Sequence, residues 1–99
     1  MQILPEFEGF DWGNANLDKN HKKHGVTAQE AEELFANSPL VARRDDHHST
    51  KVEERIQALG QTKVGRKLFI AFTLRNHKIR VISIRDMTPQ EEQAYEKHT

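Results

Sequence analysis

The sequence contains no cysteine and few aromatic residues: five phenylalanines, one tryptophan and one tyrosine. Without cysteine, the fold holds neither disulfide bonds nor metal ions bound by thiolates, and it has no cysteine nucleophile. No apolar run approaches the roughly 20 residues that a transmembrane helix needs. The N-terminus, MQILPEFEGF, is acidic and lacks the basic start and apolar core of a signal peptide. These absences predict a cytoplasmic protein with no membrane partner.

The chain has 99 residues, and no linker, internal repeat or low-complexity segment divides it. This length is typical of one small domain and excludes a two-lobed enzyme. We therefore expect a single domain over residues 1–99, in which residues 1–9 form an N-terminal extension.

The two signs of charge are separated along a chain whose formal net charge is zero. Residues 1–54 contain eleven acidic and six Lys or Arg side chains, whereas residues 55–85 contain eight Lys or Arg and no acid. In one sheet, these cations would create a positive potential that attracts polyanions. Alternatively, they form a solvated face whose acidic partners come from elsewhere in the chain.

The N-terminal half predicts two short helices. Residues 14–23 lack glycine, proline and β-branched residues, and Gly25 stands where a left-handed C-cap glycine belongs. Thr27 and Glu30 form a capping box that opens a second helix. Residues 37–39, Asn-Ser-Pro, end this helix because the residue before proline avoids the α region. The apolar face of the second helix comprises Ala28, Ala31, Leu34 and Phe35.

Alternating and β-branched segments predict four strands, at residues 40–42, 55–59, 67–74 and 78–84. Asn76-His77 forms the turn between the last two strands. Alternation along the last strand places Arg80 on the side of Ile82 and Ile84. The same alternation places Arg85 on the opposite side, with Val81 and Ser83.

Thr88-Pro89-Gln90-Glu91 is a second capping box, with proline at the first helical position. It opens a C-terminal helix that packs through Ala94 and Tyr95. The predicted fold is therefore α+β: two N-terminal helices, an antiparallel sheet of about four strands, and a C-terminal helix.

Motif searches leave few kinds of catalytic chemistry. No serine lies in a G-x-S-x-G turn, and there is neither a P-loop nor a dinucleotide-binding glycine pattern. Two groups could bind a metal ion: His21 with His24, one helical turn apart, and the loop Asp45-Asp46-His47-His48. Each lacks a third partner, and surface histidines beside an acidic loop explain the same residues. A metal-dependent hydrolase is thus one function left open.

Acids, bases and cations suited to metal-free RNA cleavage also occur together. In that reaction a base removes the 2′-hydroxyl proton, cations stabilise the charge on phosphorus, and an acid protonates the departing 5′-oxygen. The candidates are Lys23, His24, Glu53, Glu54, Arg55, Arg75, Arg80 and Arg85. Alternatively, Glu54 and Arg55 pair across strands, and Lys23-His24 interacts with the end of the first helix.

Several blocks of the sequence follow one another in the order of a known family. They are Phe10-Asp11-Trp12, Asn20-x-x-Lys23-His24-Gly25-Val26-Thr27-x-x-Glu30-Ala31, Glu54-Arg55 with Leu59-Gly60, Phe72-Thr73-x-Arg75, Ile79-Arg80-Val81-Ile82-Ser83-x-Arg85, and Glu91 with Tyr95. From about residue 10 to residue 96, the chain resembles the BrnT family, the toxin half of bacterial type II toxin–antitoxin pairs.

The resemblance implies a RelE-like fold and a metal-independent endoribonuclease, without a cofactor, that stops translation. It implies a cognate BrnA-like antitoxin with a DNA-binding domain, through which alone the pair would bind operator DNA. RNA, free or on the ribosome, is the implied substrate. Exposed apolar residues around Phe10, Trp12 and the sheet edge would bind the antitoxin, and a homodimer is the alternative cover for that surface.

The resemblance also implies roles for individual residues. Arg80 and Arg85 would stabilise charge on the phosphate, with Lys23 and Arg55 supporting them. Glu54 or His24 would be the base or acid, although His24 is alternatively a buried, hydrogen-bonded core residue. The resemblance adds Arg75 to the residues expected to bind RNA, and the acid-free basic stretch of residues 55–85 adds Lys78 and Lys67.

Two departures from the family pattern leave another function open. The chain is neutral, with Glu6 and Glu8 in its N-terminal extension, which lowers non-specific affinity for RNA. Asp86 follows Arg85, and we expect it to neutralise part of the arginine's charge. An ion pair from Asp86 or the acidic N-terminus to the arginine site would produce a catalytically weak protein that acts as an antitoxin-binding regulatory module.

Overall fold

The computed structural model describes residues 8–12, 25–36, 40–45 and 53–98. Its elements in chain order are α1 (Ala28–Ala36), β1 (Val41–Arg44), β2 (Arg55–Gln61), β3 (Lys67–Arg75), β4 (Lys78–Asp86) and α2 (Pro89–Glu96). Each strand pairs antiparallel with the next, so the order in the sheet is the order in the chain. The predicted α+β class and four-stranded antiparallel sheet are confirmed.

Other boundaries differ from the prediction or lie outside the described residues. β1 begins and ends later than the predicted strand at 40–42, while β2, β3 and β4 run one or two residues further than expected. The predicted helix over residues 14–23 and the Asn-Ser-Pro stop at 37–39 fall on residues that are not described. No helix of the described residues is long and apolar enough to cross a membrane.

Both predicted capping boxes are present. Thr27 N donates to Glu30 Oε1 at 3.0 Å, and Glu30 N donates to Thr27 Oγ1 at 3.1 Å, at the start of α1. Thr88 N donates to Glu91 Oε1 at 2.9 Å, and Glu91 N donates to Thr88 Oγ1 at 3.2 Å, at the start of α2. These reciprocal bonds satisfy backbone donors that the first turn of a helix leaves without a partner.

The predicted turn between β3 and β4 is also confirmed. Asn76 and His77 both have positive φ angles, 53° and 64°. Two such residues in succession form the tight hairpin turn whose twist matches that of the flanking strands. Arg75 and Lys78 therefore face one another directly across the first pair of the hairpin.

Helix α1 packs on one face of the sheet and forms the hydrophobic core with it. Gly60 allows the close approach, because a Cβ atom there would lie 2.9 Å from Leu40 Cδ1 and 3.3 Å from Leu34 Cδ2. The core cluster comprises Val26, Ala31, Leu34, Ala42, Ile56, Ala58, Leu68, Ile70, Phe72, Ile79, Val81 and Ile84. Helix α2 lies on the opposite face, where Tyr95 is buried.

The N-terminal segment runs along the outer edge of β4. Asp11 N donates to Ile79 O, and Ile79 N donates to Gly9 O, both at 2.8 Å. The Phe10 ring stacks on Trp12 at 5.8 Å between centroids and meets Phe35 edge-on at 5.3 Å. Phe10 and Trp12, the residues expected to bind an antitoxin, are therefore half-buried against the core.

A β-bulge in β4 changes the direction of its side chains. Ser83 pairs with Ala71 and Val81 pairs with Phe72, so Ile82 is an extra residue without a direct partner. The inserted residue breaks the alternation between the two faces. Val81 and Ile84 are both 1% exposed on the core side, although simple alternation would separate them.

The bulge also overturns the prediction that Arg80 and Arg85 lie on opposite sides of β4. Arg80 pairs with Thr73 and Arg85 pairs with Phe69. Because Phe69 and Thr73 are four residues apart on β3, they point to the same face. Both arginines therefore lie on the face that carries α2.

Candidate active site

Three strands each contribute one residue to a row across this face. Arg55 on β2 pairs with Thr73 on β3, which pairs with Arg80 on β4; we call these three residues the cross-strand row. Directly paired residues in an antiparallel sheet point to the same side. Neighbouring strands are about 4.8 Å apart, so the Cα atoms of Arg55 and Arg80 lie roughly 10 Å apart with Thr73 between them.

The cross-strand row is partly enclosed. Thr73 is 2% exposed, and both arginines are half-buried. A guanidinium group is a planar cation that presents several N–H donors in a fixed fork. Two positive forks on either side of a small hydroxyl side chain form a site suited to a phosphate group.

A carboxylate lies beside the row, next to Thr73 and Arg75. Glu53 Oε2 accepts a hydrogen bond from an Arg75 Nη atom at 3.3 Å. The neighbouring Thr73 hydroxyl, then Arg75 and the charge of Arg80, hold the pKa of Glu53 below its usual value. Glu53 is therefore ionised at neutral pH, and its lowered pKa makes it a weak proton acceptor. The hydrogen bond from Arg75 suits Glu53 to orient the Arg75 guanidinium.

Glu54, the carboxylate singled out by the resemblance, points elsewhere. Its Oε1 atom lies 3.7 Å from Arg44 Nε, and both side chains are about half-exposed. Since successive residues of an extended chain point to opposite sides, Glu54 and Arg55 diverge. The structure therefore places Glu53, and not Glu54, beside the cross-strand row.

The three residues expected to bind RNA occupy two different places. Arg75 and Lys78 are register partners at the hairpin end of β3 and β4, next to the cross-strand row. Lys67 begins β3 at its other end, where its Nζ atom lies 3.2 Å from Glu96 Oε1. Arg75 and Lys78 thus extend the cationic surface of the row, whereas Lys67 lies apart from it.

Arg85 lies outside the row and is held by an acidic partner. Its two Nη atoms donate to the two oxygens of Glu91 at 2.8 and 3.0 Å, and its guanidinium carbon lies 4.2 Å from the Phe69 ring centroid. Glu91 raises the pKa of Arg85, and Arg85 lowers the pKa of Glu91. Phe69, the partner of Arg85, is roughly 13 Å along β3 from Thr73.

Asp86 does not fill the role expected of it. Its carboxylate accepts two hydrogen bonds from Arg66, at 2.8 and 3.1 Å. Arg66 also donates to Glu30 Oε2 at 3.1 Å and to the Gly25 carbonyl at 3.0 Å. The expectation that Asp86 neutralises Arg85 is therefore wrong. Through Arg66, Asp86 joins β4 to the start of α1. The acid that pairs with Arg85 is Glu91.

The remaining candidates lie mostly outside the described residues. Lys23, His24 and the proposed metal ligands His21, Asp46, His47 and His48 are among these. Asp45 is described and buried; its N–H donates to the Arg55 carbonyl at 2.8 Å, and its Oδ2 accepts from Gln57 at 3.2 Å. Within the described ranges, no three His, Cys, Asp or Glu side chains form a group that could hold a metal ion.

Reasoning from sequence missed several members of this face. Thr73 lies in one of the family blocks, but the sequence assigns it no role. Glu53 is among the residues suited to RNA cleavage, but the sequence does not indicate which strand face it lies on. The link from Arg85 to Glu91 and Phe69 is tertiary. For these contacts of Arg85, the sequence gives only one indirect signal: alternation along β3 puts Phe69 on the same side as Thr73.

The face that carries α2 thus presents a cationic row on a small antiparallel sheet. The family model for ribonuclease toxins of type II toxin–antitoxin systems matches residues 12–91, about four-fifths of the chain. That family is BrnT, and the chain belongs to it. No curated protein matches the chain. Family membership identifies a ribonuclease toxin with an antitoxin partner, and the motif resemblance is confirmed.

Proposed function

We propose that this protein is a metal-independent endoribonuclease that inhibits translation and is neutralised by a cognate, DNA-binding, BrnA-like antitoxin. Membership of the BrnT family supports ribonuclease activity and an antitoxin partner. The observation that carries the metal-free mechanism is the cross-strand row, in which Arg55 and Arg80 flank Thr73.

The row is suited to a phosphate that lies above Thr73. From either side, Arg55 and Arg80 donate to the non-bridging oxygens, whose charge grows as the 2′-oxygen attacks phosphorus. The bond to the 5′-oxygen then breaks, leaving a 2′,3′-cyclic phosphate and a 5′-hydroxyl. Because RNA supplies the nucleophile, the protein needs only to hold the phosphate, stabilise its charge and move two protons.

His24 is our choice for proton transfer, supported by Lys23. Histidine titrates near neutral pH, where a group can both accept and donate a proton. Glu53 is a weak base because of its lowered pKa, and Glu54 points away from the row towards Arg44. The family block that contains Lys23 and His24 supports this assignment.

Arg85 has a different proposed role from Arg80. The two Nη atoms of Arg85 donate to Glu91, so a phosphate that binds Arg85 would have to displace this carboxylate. We assign to Arg85 the anchoring of α2 on the sheet. We assign to Arg75 and Lys78 the binding of RNA beside the cleaved phosphate, and to Lys67 a weaker contact at the far end of β3.

The wider setting belongs to the same proposal. We propose a single RelE-like domain over residues 1–99, with two helices before the sheet, that acts in the cytoplasm on free or ribosome-bound RNA. Operator DNA is reached only through the antitoxin. The half-buried Phe10 and Trp12 are the proposed antitoxin contact. Alternatively, a second copy of this chain buries the same two residues in a homodimer.

A second candidate function is a catalytically weak antitoxin-binding module. The ion pair between Arg85 and Glu91 favours it, because this pair neutralises one of the two arginines first expected to act on the phosphate. A metal-dependent hydrolase is a third candidate, and its expected ligands other than Asp45 lie outside the described residues.

Cleavage of a labelled single-stranded RNA tests the proposal in two mixtures: the free RNA in excess EDTA, and the RNA with purified ribosomes in magnesium, which intact ribosomes require. We expect cleavage to persist in EDTA, to produce 2′,3′-cyclic phosphate ends, and to stop when the antitoxin encoded beside this protein is added. Cleavage of the free RNA that occurs with magnesium and is lost in EDTA would contradict the metal-free mechanism. Absence of cleavage in both mixtures, with antitoxin binding intact, would favour the binding module.

A further inference from the structure

An open pocket of about 510 Å³ lies between α2 and the sheet, on the same face as the cross-strand row. This volume is within the range of roughly 300–1,000 Å³ that is typical of ligand sites. Its walls are mainly apolar, from Val41, Leu59, Phe69 and Ala94. Polar side chains of Arg43, Gln57 and Gln90 line the same space. The pocket thus combines apolar surface with a few fixed polar groups.

The pocket continues directly from the cross-strand row. Arg55, Gln57 and Leu59 alternate along β2, so all three point to the same face at steps of roughly 6.6 Å. Leu59 pairs with Phe69 on the neighbouring strand. A group that extends from a phosphate on the row along β2 would therefore pass Gln57 and reach the wall formed by Leu59 and Phe69.

A chain of hydrogen bonds fixes the polar edge of the pocket. The Nε and one Nη atom of Arg43 donate to Gln57 Oε1 at 3.1 and 2.9 Å, and Gln57 Nε2 donates to Asp45 Oδ2 at 3.2 Å. These bonds hold the Gln57 amide in one orientation. They use two of the five N–H groups of Arg43 within the described residues.

Phe69 is held in place from the other direction. The guanidinium carbon of Arg85 lies 4.2 Å from the centroid of its ring, and Glu91 holds that guanidinium with two hydrogen bonds. An aromatic wall fixed in this way can receive a flat ligand without losing side-chain freedom.

We propose that this pocket binds a nucleobase of single-stranded RNA, next to the phosphate on the cross-strand row. This inference rests on the proposed ribonuclease function. A base has flat apolar faces and a polar edge, and it is bound in proteins by stacking and by hydrogen bonds to that edge. Leu59 and Phe69 provide the apolar wall, while Gln57 and Arg43 contact the edge and produce a base preference at the cleavage site.

The observations favour a base over an apolar side chain of the antitoxin. A protein side chain would need only the apolar walls, whereas the oriented Arg43–Gln57–Asp45 chain suits a ligand with donors and acceptors. The direct continuation from the cationic row also suits a ligand joined to a phosphate.

The test fills the pocket from α2 with Ala94→Trp. Ala94 lines the pocket and is exposed to solvent, so a larger side chain enters the pocket without displacing the core. Gln93→Trp is the matched control, because Gln93 is exposed on the same helix and does not line the pocket. Equal thermal midpoints for the two variants show that both are folded.

The readout is the base preference at the cleavage site in a random-sequence RNA, mapped with and without ribosomes, together with the affinity for the antitoxin. We expect Ala94→Trp to lose the preference and to bind RNA roughly 5- to 100-fold more weakly, the range that the loss of one stacked base produces. Gln93→Trp should match the wild type. Gln57→Leu should change which base is preferred while leaving the pocket open.

Other results would overturn the inference. If Ala94→Trp keeps the wild-type base preference, no base occupies the pocket; if it also loses antitoxin binding, the pocket belongs to the protein partner. A wild-type protein that cleaves no RNA in either mixture would refute the proposed function, and the base site with it.

Discussion

Arg85 and Glu91 form an ion pair with two parallel hydrogen bonds, at 2.8 and 3.0 Å, between β4 and the start of α2. The same Glu91 carboxylate accepts the Thr88 N–H in the capping box. One side chain therefore both caps α2 and attaches it to the sheet. Both partners are only about a quarter to a third exposed, so solvent screens this pair less than a surface pair.

Replacing Glu91 with glutamine should destabilise the fold. Glu91→Gln removes the charge that faces Arg85 in a half-buried site, and we expect a loss of about 2 kcal/mol in the free energy of unfolding. Urea denaturation measures this loss. Glu92→Gln is the control, because it removes the same charge from the same helical turn; it should cost less than about 0.5 kcal/mol. Equal losses in the two variants would show that the ion pair contributes nothing.

The contribution of Glu91 should also depend on pH. Arg85 lowers the folded-state pKa of Glu91 below its ordinary value of 4.5, so the folded protein binds this proton less readily than the unfolded chain. The stabilisation is therefore complete above pH 4.5 and is lost as pH falls through the lowered pKa.

Denaturation of the wild type and of Glu91→Gln across pH 2.5–7 checks this sign. The difference between their unfolding free energies should be constant near neutral pH and should shrink below about pH 4.5. A difference that grows on acidification would contradict the ion pair.

Glu53 should act by orienting Arg75, without accepting the proton in catalysis. Its pKa is lowered, first by Thr73 and then by Arg75, so it is a weak base. We expect Glu53→Gln to raise KM severalfold, to reduce kcat less than about tenfold, and to leave the acidic limb of the pH–rate profile in place. Steady-state cleavage across pH measures all three, with Glu54→Gln as the matched variant. A fall in kcat of about 100-fold or more with loss of that limb would identify Glu53 as the base.

Local parts of the fold were predictable from the sequence. The Thr27–Glu30 and Thr88–Glu91 capping boxes and the Asn76-His77 turn depend on residues within four positions of one another. Hydrogen bonds and backbone angles confirm all three. Their physical causes lie within the segment, so no knowledge of packing was needed.

The bulge at Ile82 could not be predicted in the same way. Apolar residues at positions 79, 81, 82 and 84 fit either a regular strand or a strand with one extra residue, and pairing with β3 decides between them. The relative position of Arg80 and Arg85 follows from that decision. Glu53 and Glu54 are adjacent carboxylates just before β2, and only their tertiary contacts separate them: Glu53 lies by Thr73 and Arg75, whereas Glu54 lies by Arg44.

Arg55 and Arg80 are assigned here the role of holding the cleaved phosphate and stabilising its charge. The most direct measurement is kcat/KM for cleavage of one RNA by Arg80→Ala, compared with Lys63→Ala, which removes an exposed charge from the hairpin between β2 and β3. Removal of one donor to a developing oxyanion costs about 100- to 1,000-fold in rate. We expect a loss of that size in folded Arg80→Ala, partial recovery in Arg80→Lys, and less than a threefold effect in Lys63→Ala. Equal, small losses in Arg80→Ala and Lys63→Ala would contradict the assignment of the row as the phosphate site.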